Sequence, residues 1–313
     1  MGQWGNGAMR QWGSPAVNES AAGIAPPGFR LPGGTHVGRV RYQIADLERS
    51  LWFYRDLVGL RLVDQFVERG ARLARLGAAD TGAVLLELVE RKGARPMPRG
   101  GRLGLYHSAL LLPTRAALGS FVSHLEAAGF PAGSADHSFS EALYLRDPDG
   151  LTLEVYADRP RDQWVIRDRE IVGTLDPLDM VALAVLGAER RWTGVPAGSA
   201  IGHVHFYVGE LDDAAAFYHA ALGFDKVGWS LPGALFFSAG GYHHHVGTNA
   251  WVAHAPVATD EDARLLEWEL VVPDEATVAG ARDSLTRAGF AVRPAGASVR
   301  ATDPWKVTVV ITC

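Results

Sequence analysis

Apolar and polar residues alternate over residues 40–44 (Val-Arg-Tyr-Gln-Ile) and again over residues 204–208 (Val-His-Phe-Tyr-Val). A period of two marks a strand with one buried face. Each stretch leads into an acidic start and then an apolar recurrence of helical period, closing at Gly59 in one case and Gly223 in the other. The segments are copies: Asp46-Leu-Glu-Arg-Ser-Leu-Trp-Phe-Tyr-Arg-Asp-Leu-Val-Gly-Leu60 returns as Glu210-Leu-Asp-Asp-Ala-Ala-Ala-Phe-Tyr-His-Ala-Ala-Leu-Gly-Phe224. Phe53-Tyr54 and Phe217-Tyr218 are read as helix faces that pack on sheets. A second pair of copies, beginning at Leu105 and Leu265, predicts a strand and then a helix that closes at Ala-Gly-Phe (128–130 and 288–290). Both reach an Asp-Pro turn, Asp147-Pro148 and Asp303-Pro304, before a β-branched run. The pattern predicts four modules of strand, helix and several strands, paired two by two along the chain.

At 313 residues the chain exceeds what one core usually supports, so two domains are expected. The boundaries fall at 1–34 for a flexible tail or surface strap, 35–160 and 200–313 for the domains, and 161–199 for a connector. Within the connector, residues 177–186 predict a helix packed between the domains. Trp4 and Trp12 are the tail residues expected to dock. A net charge of −5 gives no basic footprint for nucleic acid. No run approaches the ~20 apolar residues of a membrane span. The single cysteine, Cys313, rules out an intramolecular disulfide and a thiolate cluster, and it suits a reducing cytoplasm.

Two segments carry the candidate chemistry. Five of the eleven histidines lie in Ile201-Gly-His-Val-His205 and Gly240-Gly-Tyr-His-His-His245, and Glu267 and Glu269 follow in Leu-Leu-Glu-Trp-Glu-Leu. Two imidazoles and a carboxylate are the ligand set of a non-heme Fe(II) facial triad.

These motifs, together with Ser140-Glu-Ala-Leu-Tyr-Leu-Arg-Asp-Pro-Asp-Gly150 and Val246-Gly-Thr-Asn-Ala-Trp251, resemble the vicinal oxygen chelate superfamily of glyoxalase I, bleomycin-resistance proteins and extradiol dioxygenases. The pattern is similar to its two-domain catechol 2,3-dioxygenase-like branch, over residues 36–160 and 200–313. The resemblance implies an α+β fold of four βαβββ modules forming two open-barrel cups. In each cup, ligand positions sit on the first and last strands of the modules.

Taken in chain order, those positions are Arg39, Glu87, His107 and Glu154 in the first cup, and His203, the triple histidine, Glu267 and Val310 in the second. Strand alternation puts His243 and His245 on one face and His244 on the other. The implied metal ligands are His203, His245 and Glu267, with Val310 vacating a position; a register slip of two would substitute Glu269. His205, His243 and Tyr242 are the catalytic candidates, and Glu269 and Asn249 line the substrate pocket. The first cup reads as degenerate, its Arg39 paired with carboxylates, although one His and two Glu there form another metal set. Asp136-His137-Ser138 and nearby Ser140-Glu141 read as a turn.

The implied function is metal-dependent extradiol cleavage of a catechol-like aromatic by O2, with Fe(II) as cofactor and Mn, Ni or Zn as alternatives. A glyoxalase-type lyase or isomerase and a metal-free ligand-binding protein are the rivals. Small molecules are the expected partners, with no nucleic acid and no membrane, and a homo-oligomer is left open.

Overall fold

Each predicted alternation forms a strand, and the computed structural model describes residues 22–79, 82–98 and 100–313. Module one comprises β1 (His36–Ile44), α1 (Leu47–Leu51), β2 (Arg61–Glu68), β3 (Ala71–Gly77) and β4 (Leu86–Glu90). Module two comprises β5 (Gly104–Leu111), α2 (Arg115–Ala128), β6 (Gly133–Asp136), β7 (Ser140–Arg146) and β8 (Thr152–Asp158). The connector holds a small hairpin, β9 (Ile166–Arg167) and β10 (Glu170–Ile171), and α3 (Met180–Gly187). Module three comprises β11 (Ala200–Tyr207), α4 (Leu211–Ala214), β12 (Asp225–Gly228), β13 (Ala234–Ser238) and β14 (Val246–Asn249). Module four comprises β15 (Arg264–Val271), α5 (Glu275–Arg287), β16 (Val292–Ala295), β17 (Ser298–Thr302) and β18 (Thr308–Thr312).

The helices start where side chains satisfy their free amides. Asp46, Thr114 and Asp274 accept from the backbone N–H of Arg49, Ala117 and Thr277. α1 and α4 continue as π-helical turns over Trp52–Leu57 and Ala215–Ala221. In each turn the adjacent aromatics, Phe53-Tyr54 and Phe217-Tyr218, are both buried.

The modules do not pair in chain order. One curled sheet runs β16-β17-β18-β15-β1-β4-β3-β2 and the other β12-β13-β14-β11-β5-β8-β7-β6. Module one therefore shares a sheet with module four, and module two with module three, through the antiparallel pairs β1·β15 and β5·β11. The expected pairing of modules within 35–160 and within 200–313 is corrected: each cup draws one module from each half of the chain. All four first strands are apolar on a face, so their local pattern fits either arrangement.

The two sheets share one core. Tyr42 of β1 bonds through its hydroxyl to Ser108 of β5, and the rings of Phe206 and Trp268 lie 6.2 Å apart. Consecutive modules are tied differently. Tyr54 donates its hydroxyl to Asp147 of the module-two turn at 3.0 Å, and Tyr218 donates to Asp303 of the module-four turn at 2.7 Å. Each aspartate also accepts two backbone N–H groups of its own turn.

Of the two flanking expectations, the strap reading of the N-terminal stretch is seen over residues 22–34 and the placement of the connector helix is corrected. Residues 22–34 are a strap: Ile24 bridges to Lys226, Leu31 is buried, and Arg30 forms a two-point ion pair with Asp225. Trp4, Trp12 and the rest of residues 1–21 lie outside the described residues. α3 packs on α2, its Gly187 close against Gly119, while Val181 and Val185 stay exposed. It therefore does not sit between domains. Among the described residues, no helix is long and apolar enough to cross a membrane.

Replacing Tyr54 or Tyr218 by Phe removes a hydrogen bond from a buried carboxyl. Each change is expected to cost about 1–3 kcal/mol in denaturant unfolding, with similar values for the two copies. Burial and the neighbouring Asp149 push Asp147 up to about 7. The native state then holds that proton more tightly than the unfolded chain, so this group's contribution to stability falls as pH rises from the ordinary carboxylate range to about 7. Asp147→Asn keeps an acceptor and removes the ionisation, so its stability relative to wild type should rise across that window and be level above it. A constant difference would show that Asp147 is not the titrating group.

Candidate metal centre

In the sheet built from modules two and three, β5, β8 and β11 carry His107, Glu154 and His203 onto the concave face. β5 pairs with β8 so that His107 lies beside Thr152 and Ala109 beside Glu154. β5 meets β11 antiparallel, with His107 opposite His205 and a bulge before His203, opposite Ala109. A Glu154 oxygen lies 2.9 Å from His107 Nε2 and 3.2 Å from His203 Nε2. One donor atom from each of the three residues falls within 4.8 Å of the others. All three side chains are buried, with Glu154 only 2% exposed.

The electrostatics suit a dication. Burial pushes both imidazoles down, keeping His107 and His203 neutral. Burial opposes the charge on Glu154, but His203 and His107 outweigh it and hold the carboxyl well below its usual range. Among the described residues its ion-pair partners are those two imidazoles alone, so the group carries one uncompensated negative charge. His203 Nδ1 and His107 Nδ1 lack hydrogen-bond partners. Buried charge and unpartnered imidazoles are costly unless a ligand satisfies them. Two neutral imidazoles and a carboxylate fit a divalent metal.

The fourth ligand position is Gly247. β14 pairs with β11 so that Gly247 stands beside His205, as Glu154 stands beside Ala109. A Cβ at Gly247 would come within 2.7 Å of His205 Nδ1, so the imidazole occupies the space of a fourth ligand. His205 accepts from Asn249 Nδ2 at 3.0 Å, and burial holds its pKa well below the ordinary value.

The triple histidine is not a strand. β14 begins only at Val246, and Gly240 and Gly241 hold positive φ (62° and 65°) in the turn before it. Strand alternation therefore does not reach these residues, and the expected orientations are corrected. His244, expected to face outward, lies with its ring 4.1 Å from that of His203, its pKa pushed well down by burial. His243 stacks on Phe139 at 4.4 Å and donates to Asp158 at 2.9 Å, with its other nitrogen 2.9 Å from His244 Nδ1. His245 points away from the metal cluster, its Nδ1 accepting from Ala239 N–H and its ring stacked on Phe224. Tyr242 bonds to Tyr156 at 2.7 Å, behind His203.

Glu267 and Glu269 are in the other sheet, so the expected triad with His203 and His245 does not assemble there. Glu267 pairs with Arg300 at 3.2 Å, and Glu269, expected in the substrate pocket, pairs with Arg39 at 2.6 Å. Glu87, nearly fully buried, lies between Arg41 and Arg75 at 2.7 Å each. That cup places Arg39, Glu87, Glu267 and Val310 at the ligand positions and is closed by ion pairs. The expected pairing of Arg39 with carboxylates is seen with Glu87 and Glu269, whereas His107 and Glu154 belong to the other cup.

Tyr144, given no role in the sequence reading, and His137, read there as part of a turn, border the cluster. Tyr144 pairs with Glu154 across β7 and β8, its ring 5.6 Å from His107, and burial with the charge of Glu154 keeps its hydroxyl protonated. That hydroxyl lies 2.7 Å from His137 Nε2, while His137 Nδ1 donates to Thr174 O. Alternation on β7 was the available signal, since it puts Tyr144 on the face of Glu154. Tyr106, Tyr144, Arg146 and Thr152 share the wall of a cavity of about 600 Å³ beside the cluster.

Residues 36–155 and 200–305 match the model of the Glyoxalase/Bleomycin resistance protein/Dioxygenase superfamily. The chain belongs to this superfamily. It is 40% identical over 274 residues to the catechol-2,3-dioxygenase of Bacillus subtilis, covering 86% of this chain and 94% of that protein. Solved structures with the same fold include a Bacillus subtilis protein described as a dioxygenase (TM-score 0.63, 15% identity, 91% of this chain and 86% of that one). Glyoxalase I from Zea mays is also similar (TM-score 0.54, 15% identity, 89% and 92%). In this superfamily member the cup of modules two and three offers the donor set for a divalent metal.

Elemental analysis after purification separates the two ligand sets. His107→Ala, Glu154→Gln and His203→Ala are each expected to lose bound metal, whereas His245→Ala and Glu267→Gln retain it. Retention by the first three variants would remove this cluster as the centre.

Proposed function

We infer that the protein is an extradiol-type dioxygenase that cleaves a catecholic ring with O2, using a divalent metal held by His107, Glu154 and His203. The observation that carries this reading is a two-His-one-carboxylate cluster with glycine at its fourth position, in a chain 40% identical to a catechol-2,3-dioxygenase. We assign Fe(II) as the metal, because cleavage by O2 requires a redox-active centre. When bound, it would lower the pKa of the substrate hydroxyls and supply the redox chemistry.

The chain's own residues then divide the remaining tasks. Asp158 takes the Nε2–H of His243. With its Nε2–H bonded to Asp158, His243 accepts at Nδ1 from His244 Nδ1–H, leaving Nε2 of His244 as an acceptor. His244 can therefore take a substrate proton beside the metal ligands and return it later. Tyr144 keeps its proton and can orient a substrate oxygen, while His137 fixes the direction of that hydroxyl. His205, held by Asn249, closes the fourth position. Tyr106 and Tyr207, their rings 4.5 Å apart, supply an aromatic wall for the ring.

Protein purified without oxygen, loaded with Fe(II) and then mixed with catechol and air is expected to consume O2 and form a coloured ring-cleavage product. His244→Ala should lower kcat by about 10²–10⁴-fold with metal content unchanged. Turnover of a substrate without any O2 requirement would replace this reading with a glyoxalase-type reaction.

A further inference from the structure

Arg146 lies on the wall of the cavity beside the metal cluster, together with Tyr106, Tyr144 and Thr152. Its place follows from register: Arg146 pairs with Thr152, and Thr152 pairs with His107, so two strand spacings separate Arg146 from His107. At ~4.8 Å per strand the backbones are roughly 10 Å apart. Alternation puts Arg146 on the same face of β7 as Tyr144.

Most arginines around this site are spent on carboxylates. Arg159 holds Asp136 and Glu141, and Arg115 holds Glu141. Arg146 forms no ion pair among the described residues. One of its terminal nitrogens donates to Gly150 O at 3.1 Å and Met97 O at 3.4 Å, which anchors the group and leaves its other donors uncommitted. An anchored guanidinium with free donors on a cavity wall is a carboxylate receptor.

We propose that Arg146 binds a carboxylate on the substrate, so that the enzyme prefers catechols bearing a carboxylate on the side of the ring away from the hydroxyls. This rests on the dioxygenase reading above, since the hydroxyl end of the ring is placed by the metal cluster. The cavity of about 600 Å³ that Tyr144, Thr152 and Arg146 line is large enough for one substituted ring.

The test uses the metal-loaded enzyme with catechol, protocatechuate and its one-carbon-longer acetate analogue. kcat/KM is measured in air, and equilibrium binding is measured calorimetrically without oxygen. Wild type is expected to favour at least one carboxylated catechol over catechol by about tenfold or more in both measurements. Arg146→Gln should abolish that preference, mainly through KM, and Arg146→Lys should restore part of it. An equal ratio in wild type and Arg146→Gln, or a wild-type preference for catechol, overturns the proposal. Absence of cleavage for all three compounds would overturn the dioxygenase reading alone, because the binding ratio still decides the role of Arg146.

Discussion

The antiparallel pairing of β5 with β11 is the constraint on which the site depends. It joins modules separated by the whole connector, sets His107 opposite His205, and brings His203 to the carboxylate that β8 holds beside β5. Neither half of the chain owns the centre: His107 and Glu154 come from one half and His203 from the other. The bulge between the His205/His107 and Phe206/Leu105 pairs lets Tyr106 join the concave face instead of turning into the core, since its ring meets both histidines at about 5 Å.

The two cups show how the same positions can be used in opposite ways. In one, a buried carboxylate is left with neutral imidazoles and a glycine at the fourth position, its space filled by His205, and the excess negative charge suits a cation. In the other, arginines reach every carboxylate, and the cup is satisfied by its own side chains. Burying an ion network needs close geometric complementarity, and Glu87, contacted by Arg39, Arg41 and Arg75, has it.

Much of this was legible in the sequence, and the failures have local causes. Strand and helix positions followed from hydrophobic period, and His203, His107, Glu154, Arg39 and Glu87 were all recognised as ligand positions. What the pattern could not supply was the partner of each sheet edge, because β1, β5, β11 and β15 look alike from one module to the next. Chain-order pairing then attached Glu267 to His203, and every later assignment inherited that choice. The second failure was the triple histidine, where alternation was carried into a turn that Gly240 and Gly241 had already broken. His244 therefore seemed to face away and His245 inward, the reverse of their positions relative to His203. Tyr144 was missed and His137 was read only as part of a turn, because their place beside the cluster depends on Glu154 lying across the strand.

The tyrosine-to-aspartate locks gain another meaning from the exchanged sheets. Sheet pairing links module one to four and two to three, while Tyr54–Asp147 and Tyr218–Asp303 link one to two and three to four. The four modules thus form a closed ring of contacts, alternately ladder and lock, with every module held on two sides by different chemistry. Such a ring has no terminal unit to fray, and opening it anywhere loosens both cups at once. The protein is, in effect, a dimer of its own halves folded into one chain, and the sealed cup and the cup that holds the histidine–glutamate cluster are parts of one ring.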